Sequence, residues 1–138
     1  MAYTLTFTQL AEYDAGQPGI SVTVELRLSE KLVKVESKID TGSTNCIFAR
    51  RFGEELGLVI EDGLPKRIRT ATSSFMTYEH EVNLSVLDFN FTVLVCFAED
   101  SAFQTNVLGR YRFLMQVKFG LVDYEGKLYL GKYDENFG

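Results

Sequence analysis

The side chain best placed to do chemistry in this sequence is Asp40, within the run Ile39-Asp40-Thr41-Gly42-Ser43-Thr44-Asn45. An apolar alternating segment leads into it, and hydroxyl side chains follow it. The same arrangement also makes an ordinary turn, because Asp caps its own backbone and Gly tolerates positive φ. At average residue usage Asp-Thr-Gly arises by chance in roughly one chain in thirty of this length, so the tripeptide alone decides little. Its context is more informative. An amphipathic stretch comes next, and further on Asn106-Val107-Leu108-Gly109-Arg110 supplies an apolar-apolar-Gly segment with Arg directly after it.

Other chemistries are poorly supplied. The patterns G-x-S-x-G, G-x-x-x-x-G-K-[ST] and G-x-G-x-x-G do not occur. His80 is the only histidine, and in Tyr78-Glu79-His80-Glu81 it reads as a solvated strand residue. Cys46 and Cys96 lie in apolar contexts and read as core packing. Two Cys and one His, widely spaced, fall short of a structural zinc site, so neither metal nor cofactor is expected. Lys66, Arg67 and Arg69 read as a solvated edge more than an anion site.

The elements that must position Asp40 follow from period-2 alternation between short turn signals. Tyr3–Phe7 is predicted as a first strand. Ile20–Leu28 alternates cleanly, with Val22, Val24, Leu26 and Leu28 on one face, and Ser29-Glu30-Lys31 turns the chain. Leu32–Ile39 returns as the strand that delivers Asp40. A helix is predicted where Phe48, Phe52 and Leu56 recur, with Gly57 at its stop and Arg50 and Arg51 on a solvated face. Ile68–Ala71 and Met76–Val86 flank a polar tip, Thr72-Ser73-Ser74. Asp88-Phe89-Asn90 turns into Phe91–Phe97. After Asn106–Arg110 comes a short helical stretch around Phe113, Leu114 and Val117. Lys118–Asp123 and Lys127–Leu130 then form a hairpin around Glu125-Gly126.

The chain has 138 residues, 46% of them hydrophobic, 24% charged and 13% aromatic, with 2 Pro, a composition that excludes a disordered or collagen-like chain. That length fits a single domain, 1–138. Nineteen acids against fourteen bases give a net charge of −5, which disfavours general nucleic-acid binding. No apolar run approaches the ~20 residues of a membrane span. The start lacks a basic region and a long apolar core, so no signal peptide is expected and a soluble, cytoplasmic protein is. The fold class expected is mainly β, a small closed barrel.

At Ile39–Ser43 and Val107–Arg110 the chain resembles the single-domain, retropepsin-like aspartic proteases, the retroviral enzymes and their bacterial relatives. Those show hydrophobic–Asp-Thr-Gly-Ala/Ser near one end and hydrophobic–hydrophobic–Gly-Arg near the other, leading into a short helix. Order and spacing match over roughly residues 20–132. The resemblance implies the single-lobed acid protease fold, with one or two short helices, and the activity of an aspartic endopeptidase. It implies catalytic roles for Asp40, Thr41, Gly42 and Ser43. Gly42 would offer its N–H to the carboxylate, Thr41 would bond across to the other copy's loop, and Ser43 would donate to Asp40. Leu108, Gly109 and Arg110 would support the site, and Ala71, Thr72, Ser73, Ser74 and Phe75 would form a substrate-binding flap.

Two carboxylates sharing one proton can hydrolyse a peptide, one accepting a proton from water as the other donates to the carbonyl. Such a pair needs two loops, and this chain has one. Asp62-Gly63 and Asp14-Ala15-Gly16 do not follow an apolar strand end as Asp40 does. A second Asp40 from an identical chain on a two-fold axis is therefore expected, making a homodimer that acts on a peptide or protein. The sequence departs from the viral pattern in three places: no Gly lies between Gly63 and Gly109, Thr44 and Asn45 replace carboxylates, and Tyr111 follows Arg110. Two other readings stay open. One is a non-catalytic dimeric peptide-binding or assembly module on the same fold. The other is an unrelated β-barrel ligand binder in which Asp40 is a turn residue.

Overall fold

The computed structural model describes residues 1–133; residues 134–138 of the expected domain lie outside the described residues. In chain order the strands are β1 (Gln9–Glu12), β2 (Ser21–Leu28), β3 (Lys31–Ile39), β4 (Ile47–Phe48), β5 (Leu64–Arg69), β6 (Ser74–Val86), β7 (Phe89–Ala98), β8 (Val107–Leu108), β9 (Val117–Val122) and β10 (Lys127–Lys132). One α-helix, α1 (Arg50–Glu55), separates β4 from β5. The protein is mainly β, as the alternation predicts.

Strand pairing runs β2-β3-β8-β4-β7-β6-β5, and a further β2–β6 ladder closes the strands into a ring from which β5 projects with the start of β6. The inward faces follow from period-2 side-chain direction. Val22, Val24 and Leu26 on β2, Val33 and Val35 on β3, Val82, Leu84 and Val86 on β6, and Val93, Val95 and Phe97 on β7 are all buried. β7 is buried on both faces from Val95 to Ala98, because β4 pairs alongside it and α1 packs on it. A Cβ on Gly53 would lie 2.5 Å from Ile60 Cδ1 and 3.0 Å from Phe97, so only glycine lets the helix approach that closely.

The β2–β3 register, Leu28↔Lys31, leaves a tight Ser29-Glu30 turn in which Ser29 takes φ 55°. The β6–β7 turn is Leu87-Asp88, one or two residues earlier than predicted, because Phe89 and Asn90 already pair with Val86 and Ser85. A separate sheet, β1-β10-β9, includes the predicted C-terminal hairpin, with Gly126 left-handed at φ 65°.

Two expectations are corrected. Tyr3–Phe7 is not a strand: β1 forms later, where Gln9–Glu12 finds partners on β10, and Tyr3 and Leu5 stay exposed. The helix does not begin at Phe48, because the ladders to β7 and β8 take Ile47 and Phe48 as β4. Its stop is as predicted. Gly57 N–H donates to Glu54 O and Leu58 N–H to Gly53 O, the two bonds of a Schellman ending, with Gly57 at φ 86°. The short helical stretch expected after Arg110 is a 3₁₀ turn, Leu114–Gln116, preceded by Arg112 at φ 78°.

Two side chains taken as solvated hold the shell together. Arg50 donates to Glu54, to both carboxylate oxygens of Glu61, and to the Glu99 carbonyl. The Arg50 bonds hold the Glu61 carboxyl below its ordinary range. His80 is partly buried, and its Nε2 lies 2.8 Å from the Ile60 carbonyl, which can only accept, so Nε2 carries the proton.

Candidate active site

Asp40 is the first residue past β3, where the ladder ends and the chain must turn. Its own N–H donates to Leu108 O at 3.0 Å, which pins the strand end to β8. β8 runs parallel to β3 on one side and antiparallel to β4 on the other, so it lies between the two strands that flank the Asp40 loop. Beyond β8 the backbone grips the loop again. Arg110 N–H donates to Ser43 O at 2.9 Å and Tyr111 N–H to Thr44 O at 2.8 Å.

Gly109 makes this approach possible. A Cβ there would lie 2.2 Å from Asn45 O and 2.6 Å from Ser43 O, well inside contact distance. Asn106 completes the clamp: its carbonyl accepts from Lys38 N–H and its Oδ1 from the buried Ala49 N–H that opens α1. Leu108 and Arg110 bond the loop through backbone atoms, and the Arg110 side chain is exposed.

Inside the clamp, Gly42 N–H donates to Asp40 Oδ1 at 2.9 Å. A Cβ on Gly42 would sit 3.2 Å from that same oxygen, so glycine keeps the contact unhindered. Asp40 Oδ2 has no hydrogen bond among the described residues, and Asp40, Thr41 and Gly42 are all exposed. The expected bond from Ser43 to Asp40 is not made. Ser43 Oγ donates instead to Asn45 O at 2.8 Å, because the loop folds back and brings that carbonyl within reach. A hydroxyl has one proton to donate. Nearby, Cys46 is buried with its Sγ 3.4 Å from Tyr111 O, and burial pushes its thiol up to about 11. Burial likewise raises the Cys96 thiol. Neither cysteine is a poised nucleophile.

Asp40 lines an open cleft of about 600 Å³ together with Gly42, Ser43, Thr44 and Asn45, β5 from Lys66 to Arg69, and Thr70, Phe75 and Phe103. Asp40 is the only carboxylate in that lining. Phe75 and Phe103 stack with centroids 4.8 Å apart. Of the predicted flap residues, Phe75 alone lines the cleft, while Ala71, Thr72, Ser73 and Ser74 are exposed. The β5–β6 tip is Thr70–Ser73, one or two residues earlier than predicted, since Arg69 already pairs with Ser74. Thr70 and Ser73 bond each other there through backbone and hydroxyl.

The sequence reading expects Ile68–Ala71 in the flap but does not place Lys66, Arg67, Arg69 or Phe103 at the site. The signal was present in Lys66-Arg67-Ile68-Arg69, a basic run in an acidic chain, but nothing local shows that this edge faces Asp40. A second hollow, of about 520 Å³ and lined by Glu12, Asp14 and Glu36, shares no residue with the Asp40 cleft.

Comparison with known proteins gives one finding and one blank. A search of curated proteins returns no match. The profile of the family described as aspartyl protease matches residues 22–111, from β2 through the Asp40 loop and β8 to the residue after Arg110. With its strand-delivered Asp-Thr-Gly loop clamped by Gly109 and its mainly-β ring, this chain belongs to the aspartyl protease family.

Proposed function

We propose that this chain is an aspartic endopeptidase that works as a homodimer, with the Asp40 carboxylates of two copies sharing one proton. The observation that carries this reading is how Asp40 is presented. One carboxylate oxygen is held by Gly42 N–H, the other has no bond among the described residues, and no other acid lines the cleft. A lone carboxylate cannot accept a proton from water and donate one to a carbonyl in the same step. A second copy supplies the missing group on a two-fold axis. Thr41 is exposed, and in that dimer its hydroxyl would bond the partner's loop.

Two carboxylates at hydrogen-bond distance cannot both ionise, so the pair retains one proton. The charged Asp40 takes a proton from water as the water oxygen bonds to the scissile carbonyl carbon. The protonated Asp40 gives its proton to the carbonyl oxygen. As the tetrahedral intermediate collapses, the C–N bond breaks, the nitrogen takes the proton that Asp40 gained from water, a hydroxyl of the intermediate returns its proton to the other Asp40, and carboxyl and amine products leave. The β5–β6 hairpin serves as the flap, closing over peptide with Phe75 against it.

The test is a diverse peptide library incubated with wild type and Asp40→Asn and read by mass spectrometry. Cleavage by wild type alone, with specific activity falling on dilution in step with dissociation seen by sedimentation, is expected. Equal cleavage by both proteins would overturn the assignment. Peptide binding without cleavage would favour the non-catalytic module instead.

A further inference from the structure

Resting on that reading of the Asp40 cleft, we infer that β5 selects substrates carrying an acidic side chain within about three residues of an apolar one, Lys66 and Arg69 supplying the counter-charge. The whole chain carries −5, yet the cleft wall has the opposite sign: Lys66, Arg67 and Arg69 line it against the single carboxylate of Asp40. These cations are uncommitted. Among the described residues the ion pairs join Arg50 to Glu54 and Glu61, and Lys127 to Glu125. Arg67 has only a neutral partner, its Nη1 donating to Ser74 Oγ at 3.3 Å. Arg50, by contrast, is matched with carboxylates where it braces the fold.

The strand that carries the cations is held in place. The Lys66 carbonyl accepts from the buried Thr77 hydroxyl at 2.7 Å, and Ile68 pairs with Phe75 in the β5–β6 register. Ile68, Phe75 and Phe103 form an apolar stretch of the wall; Lys66 shares the Ile68 face of this edge strand and Arg69 lies on the opposite face, both bordering the cleft. A strand rises about 3.3 Å per residue, so the two cations are spread over about 10 Å. A peptide bound extended has the same rise, so an acidic residue near an apolar one meets a cation in the same register.

The experiment uses the full chain and peptides identical except for Glu, Gln or Lys flanking one apolar pair. At low ionic strength kcat/KM should favour Glu over Lys by about 3–10-fold, as expected for solvent-exposed charge pairs, and the ratio should shrink in about 0.5 M salt. Lys66→Glu combined with Arg69→Glu, with folding checked by circular dichroism, should invert the ratio. Equal cleavage of all three peptides overturns the inference and leaves the endopeptidase reading standing. A Glu preference that persists in the double variant also overturns it. If no peptide is cut, the endopeptidase reading fails, and anisotropy of labelled Glu and Lys peptides on the Asp40→Asn protein decides. Tighter binding of the Glu peptide supports the inference; equal binding overturns it.

Discussion

The two walls of the Asp40 cleft are built in opposite ways. The Asp40 loop is held by backbone bonds from a distant segment, through Leu108, Arg110 and Tyr111, and is packed against a glycine with no room for a methyl group. The β5–β6 tip, Thr70–Ser73, is exposed and bonded within itself. In the dimer proposed above, a carboxylate meeting a second one at hydrogen-bond distance would need the first kind of support, since small displacements end the sharing of a proton. A hairpin acting as the proposed flap would need the second, because segments that open easily have few long-range bonds to break.

Four substitutions can break or sharpen this contrast. The largest effect is expected from Gly109→Ala, whose methyl would meet Asn45 O and Ser43 O. Overpacking of this kind should cost about 3 kcal/mol in denaturant unfolding and remove cleavage, because β8 must retreat from the loop. Next is Asn106→Ala, which strands the buried Ala49 N–H. An unsatisfied buried donor should cost about 1–3 kcal/mol, read as a lower unfolding midpoint.

Ser43→Ala removes the bond to Asn45 O and should cost about 1 kcal/mol. Because the hydroxyl does not donate to Asp40, both limbs of the kcat/KM pH profile should stay in place. A shift of either limb to higher pH would show that Ser43 turns to the carboxylate in the working enzyme. The smallest effect belongs to Thr70→Ala, which removes a hydroxyl of the same kind from the exposed tip. Stability should change by less than about 0.5 kcal/mol. Hydrogen exchange at the amides of Thr70–Ser73 should be faster than at Asp40 and Arg110, quicken further in the variant, and slow when a peptide inhibitor binds.

How far the sequence could be read depended on how local each feature is. The face of β2, the delivery of Asp40 by β3 and the Gly57 helix stop all rest on residues within a few positions of one another. Each was legible. Tyr3–Phe7 alternates as well as β2 does, yet a strand needs a partner, and β10 pairs with Gln9–Glu12 instead. Phe48 keeps its place in an apolar stripe of helical spacing, but a ladder with β7 and β8 outweighs the helical period. His80 sits among charges in sequence while its ring reaches the Ile60 carbonyl, twenty residues away.

The candidate site divides along the same line. By itself the sequence determined a mainly-β chain, a carboxylate at a strand end followed by the glycine that bonds it, and a second apolar-Gly-Arg segment. These depend on side-chain alternation and turn chemistry, which act over a few residues. Only the tertiary structure decided that β8 lies between β3 and β4, that Ser43 serves Asn45 and not Asp40, and that the basic edge of β5 faces the acid. Those outcomes come from pairings between distant segments, where strand register and packing determine which atoms meet.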